Sequence, residues 1–140
     1  MTAHPEKKRD YQKELDAILA ALPPAATPEQ KPALLLHACC APCSSYCLEY
    51  LTQHFSITLF YFNPNIFPAE EYARRAAEAE RLTRELPAAH PISFLQGAFE
   101  PERFYAAVRG LENVPEGGAR CRACFRLRLE ETAKMAKERG

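Results

Sequence analysis

The sequence predicts an α/β fold: a three-layer, mainly parallel sheet with helices on both faces, Rossmann-like in layout and preceded by an N-terminal helix. Three observations carry this. Beyond residue 32, short apolar or β-branched runs alternate with amphipathic stretches in the order β-α-β-α-β-α-loop-α, and such alternation implies right-handed crossovers and parallel pairing. The run 33–38 (ALLLHA) is almost continuously apolar, as suits a strand covered on both faces. Two of the runs stop at distinctive residues, Cys39-Cys40 and Asn63-Pro64-Asn65, and open α/β sheets place their sites at the carboxyl ends of strands.

The elements follow in order. Residues 6–22 read as a helix, because Leu15, Ile18, Leu19 and Leu22 form one apolar stripe at i, i+3, i+4 and i+7. Pro23-Pro24 ends it, and the four prolines between Pro23 and Pro32 mark a linker or surface loop. Residues 1–32 are therefore read as helix plus Pro-rich linker, and 33–140 as the α/β domain. After the strand 33–38, a helix is expected over 44–53. The second strand, 56–63, is rich in β-branched and aromatic residues and closes at the Asn-Pro-Asn turn signal. Its Phe60, Tyr61 and Phe62 alternate between faces and are expected to pack in the core. A helix over about 68–86, a short strand at 92–95 and a helix from Pro101 that ends at Gly110 come next. The last helix opens near Cys121 and carries Phe125, Leu129, Ala133 and Ala136 at helical spacing.

Composition narrows the function. With 18 Lys+Arg against 18 Asp+Glu in 140 residues, no global basic field announces a nucleic acid. A hydrophobic content of 47% with 26% charged residues is that of a globular chain rather than a disordered one. No apolar run approaches the roughly 20 residues of a membrane span. The basic residues before Arg9 have no apolar core behind them, so no secretory signal is expected and a cytoplasmic location is.

Six cysteines remain: Cys39, Cys40, Cys43 and Cys47 crowd together, and Cys121 and Cys124 form a later pair. Disulfide scaffolds disperse their cysteines, whereas clustered thiols in a reducing compartment signal metal or redox chemistry. Cys40-Ala-Pro-Cys43 lies where a strand turns into a helix, and Cys121-Arg-Ala-Cys124 opens one. Helix N-termini stabilise thiolate, and Arg120, Arg122 and Arg126 add positive charge around the second pair. Three readings stay open: an iron–sulfur cluster, a structural zinc site, and thiol–disulfide exchange through Cys40 and Cys43. Cys47 is read as a small packing residue.

Three motifs then take on a collective meaning. Residues 36–44 (LHACCAPCS), residues 61–66 (YFNPNI) followed by Glu71, Tyr72 and Arg75, and residues 118–129 (GARCRACFRLRL) occur in this order. Together they resemble the QueH family of epoxyqueuosine reductases across residues 34–139. The resemblance implies reduction of epoxyqueuosine to queuosine at the wobble position of tRNA, without cobalamin, with electrons from a donor it does not identify. It implies a [4Fe-4S] cluster held by Cys39, Cys40, Cys121 and Cys124, and a separate mononuclear metal ion, iron, held with the help of Cys43. That ion would bind the departing oxygen, which makes Cys43 the catalytic candidate. It also raises Asn63 and Asn65 as lining of the substrate crevice. Glu71, Tyr72 and Arg75, which follow in the same motif, are further substrate candidates, and Arg120, beside the second cysteine pair, is the phosphate-contact candidate. The competing function is a zinc- or cluster-stabilised module that binds RNA or a partner without catalysis, or a thiol–disulfide oxidoreductase.

Plainer readings stand beside these. His37, inside the first strand, is expected to be a hydrogen-bonded core histidine. Asn63 and Asn65 suit turn residues, Glu71 and Arg75 an i, i+4 surface pair, and Arg120 a neutraliser of negative charge. From Arg120 to Gly140, five Arg and two Lys face three Glu, a local charge of +4. That basic end suits either tRNA phosphates or an ordinary solvated helix face. The resemblance further implies a segment beyond Gly140, so the chain is expected to be a truncated form or a shorter variant. A charged residue is expected between Glu116 and Gly118, where Gly117 stands, and its loss is expected to loosen the approach to Cys121.

Overall fold

The computed structural model describes residues 8–25, 27–87 and 91–140. The elements are α1 (Tyr11–Ala21), a short 3-10 turn (Pro28–Gln30) within the Pro-rich stretch, β1 (Ala33–His37), α2 (Ala41–Leu51), β2 (Ser56–Tyr61), α3 (Ala69–Glu85), β3 (Ser93–Gln96), α4 (Pro101–Ala107) and α5 (Ala119–Arg139). The first helix starts at Tyr11 because Asp10 caps it, its carboxylate accepting from the Lys13 N–H at 3.2 Å. Residues 6 and 7 of the predicted helix lie outside the described residues. Leu15, Leu19 and Leu22 are half-buried, but Ile18 of the same stripe is exposed, and α1 buries no residue fully.

The three strands pair in parallel in the order β1-β2-β3, with Leu34 opposite Ile57, His37 opposite Phe60, and Tyr61 opposite Gln96. Because the order never reverses, right-handed crossovers place α2 and α3 on one face. There they enclose the core of Leu48, Ile57, Leu59, Tyr61, Tyr72, Ala76 and Ala79. Alternation sends Phe60 and Phe62 to the opposite face, where their rings stack at 6.1 Å. Arg103 of α4 lies 5.1 Å from the Phe62 ring centroid, and α5 packs on both α4 and β1. Helices thus cover both faces of a parallel sheet, as the alternating pattern predicts.

Two features of the helices differ from the sequence expectation. α2 begins at Ala41 rather than Ser44, since the extended Cys40 serves as its N-cap and Pro42 falls in the first turn, where a missing N–H is harmless. α5 buries Cys124, Arg128 and Thr132, while Phe125 and Leu129, which its helical spacing singled out, are 55% and 61% exposed. The pattern C-F-R-L-R-L puts apolar residues on more than one face, so hydropathy alone does not select the side that docks.

Candidate metal centre

β1 enters α2 through Ala38, Cys39 and Cys40. No side chain caps α2, so its first backbone N–H groups stay available at the thiols. Ser44 Oγ closes the first turn by donating to the Cys40 carbonyl at 2.8 Å. Hydrogen bonding from Cys43 draws the Cys40 thiol below its ordinary pKa. Burial, reinforced by Cys40, pushes Cys39 up, and the hydrogen bond to Cys40 pushes Cys43 up. Cys40 is thus the thiol that most readily becomes thiolate among these three.

The second group forms where α5 starts. Gly117, at φ 84°, turns its N–H onto Cys121 Sγ at 3.3 Å. The residue expected to loosen this approach instead donates to the sulfur, from a left-handed conformation that favours glycine. Cys124 is buried, which raises its pKa, and the Arg128 guanidinium opposes that rise.

Each group lines a hollow of its own, and the two hollows share part of their walls. A cavity of about 470 Å³ is bounded by Asn65, Phe104, Tyr105, Arg120, Cys121, Cys124, Phe125 and Arg128. A smaller one, about 280 Å³, is bounded by His37, Cys39, Cys43, Cys47, Phe125 and Arg128. Phe125 and Arg128 belong to both walls. All six cysteines are free, and soft thiols at helix starts are the donor chemistry that iron–sulfur groups and soft metals require. The residues present therefore fit such a group in kind, although among the described residues no three His, Cys, Asp or Glu side chains form a closed ligand set.

Other candidate residues divide between site and scaffold. His37 Nε2 lies 2.7 Å from the Phe62 carbonyl; a carbonyl only accepts, so Nε2 carries the proton. Burial lowers the imidazole pKa, and the hydrogen-bonded histidine expected from sequence is what the structure contains. Asn63 is fully buried and donates from Nδ2 to the Ala38 carbonyl at 2.8 Å. Asn65 faces the larger hollow, and its buried Oδ1, like that of Asn63, has no hydrogen-bond partner. Glu71 binds Arg74 and Arg75 at 2.6 and 2.7 Å, which holds its carboxyl at a pKa of about 2. Arg75 also extends its charge toward Cys40. Tyr72 is a core residue whose hydroxyl donates to the Gly97 carbonyl at 2.9 Å. Arg120 donates to the Glu112 carbonyl at 3.0 Å and edges the larger hollow.

Cys47 corrects the sequence reading. It is exposed and lines the smaller hollow, because α2 turns Ser44 and Leu48 inward and so carries Cys43 and Cys47 outward. Arg128 is the residue that sequence reasoning missed. Its spacing of i+4 from Cys124 places both on one helix face, a signal masked by its charge. The basic end is partly consumed internally: Arg126 pairs with Glu130 at 2.7 Å, and Arg128 is buried.

This arrangement defines an α/β protein whose thiol-rich crevice sits at the carboxyl ends of parallel strands and is completed by a returning helix. Residues 34–140 match the family model described as Epoxyqueuosine reductase QueH. The chain belongs to the QueH family. It is 47% identical over 112 residues to the epoxyqueuosine reductase QueH of Streptococcus pyogenes serotype M1, covering 79% of this chain and 44% of that protein. Identity to the Staphylococcus epidermidis protein of the same name is 44% over 115 residues (79% and 48% of the two chains). For the Thermotoga maritima one it is 31% over 113 residues (76% and 54%). The chain spans about half the length of the curated relatives it matches. No solved structure matches it.

Proposed function

We propose that this chain is the thiol-bearing part of an epoxyqueuosine reductase, converting epoxyqueuosine to queuosine at the wobble position of tRNA. The observation that carries this reading is that Cys39 and Cys43 line one hollow and Cys121 and Cys124 another, with Phe125 and Arg128 in the walls of both. In this reading Cys39, Cys40, Cys121 and Cys124 hold a [4Fe-4S] cluster and Cys43 holds a second ion, iron. Bound there, these groups would supply single electrons and a Lewis acid for oxygen. Removal of the epoxide oxygen as water takes two electrons and two protons, the electrons coming from a donor protein or small reductant. The 33–140 unit is the reductase domain, residues 1–32 are an N-terminal helix and linker, and the cytoplasm is its location. No helix among the described residues is long and apolar enough to cross a membrane.

The chain's own residues bind and orient. Asn65 offers an unpartnered acceptor to a donor group of the modified base, in a hollow walled by Tyr105 and Phe125. Arg120, on the rim, suits a tRNA phosphate. Asn63 fixes the end of β2 against Ala38, Tyr72 supports the crevice from the core, and Glu71 orients Arg75 toward Cys40.

The test is anaerobic reconstitution with iron and sulfide, followed by an assay on tRNA carrying epoxyqueuosine. Brown protein with about four irons for the cluster, and more for the adjacent ion, that forms queuosine supports the reading. Colourless protein holding a single zinc overturns the cofactor assignment. Loaded protein without turnover on that tRNA overturns the activity for this chain. One observation favours a second reading, thiol–disulfide exchange: Cys40 is activated by an exposed Cys43 at a helix start. Metal-free protein would then reduce a model disulfide, and Cys40→Ser would abolish that reaction.

A further inference from the structure

Arg128 occupies an unusual position for a cation. It is only 9% exposed, and it forms part of the wall of both hollows, beside Cys39 on one side and Cys124 on the other. Its Nε points to the Cys124 carbonyl at 3.4 Å, and its guanidinium lies 5.0 Å from the Phe125 ring centroid. Among the described residues no carboxylate lies within ion-pair distance of it, whereas Arg126 pairs with Glu130 and Arg103 with Glu131. A buried cation lacking an anion carries an uncompensated desolvation penalty.

We infer that Arg128 is a positioning residue, a buried cation that the fold reserves for an anionic occupant held beside the Cys39 and Cys124 thiols. The inference rests on the cofactor reading above, in which four thiolates on iron–sulfide make that occupant negatively charged. The guanidinium supplies the compensating charge from between the two cysteine pairs. Positive charge held close to a cluster favours its reduced, more negative state, because the added electron is then better compensated.

The experiment compares the full chain with Arg128→Met, Arg128→Gln and Arg128→Lys. Metal-free and reconstituted samples are followed by thermal unfolding, iron analysis and redox titration. In the metal-free chain, Arg128→Met is expected to raise the melting temperature, since an unpaired charge gives way to an apolar side chain of similar length. In the reconstituted chain, Arg128→Gln is expected to shift the midpoint potential negative and to retain iron less well, and Arg128→Lys to restore both. A structural role alone would lower the melting temperature of Arg128→Met in both samples and leave the potential unmoved. Either of those results overturns the inference. If the native chain takes up no iron, the cofactor reading fails, and Arg128 is judged on the metal-free samples: a higher melting temperature for Arg128→Met supports a reserved cation, and a lower one overturns it.

Discussion

Asn63 Nδ2 donates to the Ala38 carbonyl across 2.8 Å, joining the end of β2 to the backbone immediately ahead of Cys39. The amide is fully buried, so the bond acts in a medium where a lost partner is costly. It fixes where the first cysteine group stands relative to the sheet.

Replacing Asn63 by Ala should therefore lower stability by about 1–3 kcal/mol, the cost of leaving a buried carbonyl without its donor. Urea unfolding measures it. Asn63→Asp should be worse, since it buries a charge beside a carbonyl oxygen. A midpoint unchanged in both variants would show that the bond contributes nothing to stability.

Gly117 bears on the second cysteine group. Adding a Cβ meets no neighbouring atom within 4 Å, so the cost of Gly117→Ala is purely that of φ 84° for an L-residue, about 1–2 kcal/mol. Gly117→Asn, which tolerates this conformation better, should recover part of the loss. Comparing melting temperatures of the two variants checks the order.

Glu71 makes a pH prediction with a definite sign. Its carboxyl is depressed to about 2, first by hydrogen bonding from Arg74 and then from Arg75. The native state thus favours the ionised form. The stabilisation is complete above the ordinary carboxylate range, about 4.3, and is lost as the pH falls through the folded value near 2. Carbon-13 NMR of the Glu71 carboxyl should give a midpoint near 2. Arg74→Gln should move it upward more than Arg75→Gln does. A midpoint in the ordinary range for the native chain would dissolve the pairing.

Cys43 separates the two proposed metals. Cys43→Ala should keep the brown absorbance and about four irons per chain while losing the additional ion and turnover. Metal analysis after reconstitution reads this directly. Full iron content and full activity in the variant would remove Cys43 from the reaction.

Much of this architecture is legible in the residues. The apolar run before Cys39 and the aromatic run before Asn63 define two strands, the second buried and the first a half-buried edge rather than the fully covered strand its apolar run suggests. Their ends mark the crevice because chain polarity in a parallel sheet brings such ends together. Rotation about helix axes is harder to read. Cys47 points outward because α2 starts at Ala41, a boundary governed by the extended Cys40 and the helix-starting Pro42. Arg128 points inward because α5 docks through the Cys124 face, which no hydropathy pattern selects when an arginine lies on it. Asn65 and Tyr72 are close in sequence, yet one faces a hollow and the other packs in the core. Turn geometry and α3 packing decide that difference.

The docking of α5 against β1 has a consequence for how the crevice lives and dies. Local opening that lifts α5 away parts Cys121 and Cys124 from Cys39 and Cys40 while β1, β2 and β3 stay paired. Any group spanning the two sets then works as a latch on the last helix, and its occupancy and the helix's closed lifetime become two measures of one equilibrium. Amide exchange along α5 should slow on loading while exchange in β2 holds steady. The sheet supplies the address of the site, and the final helix keeps its time.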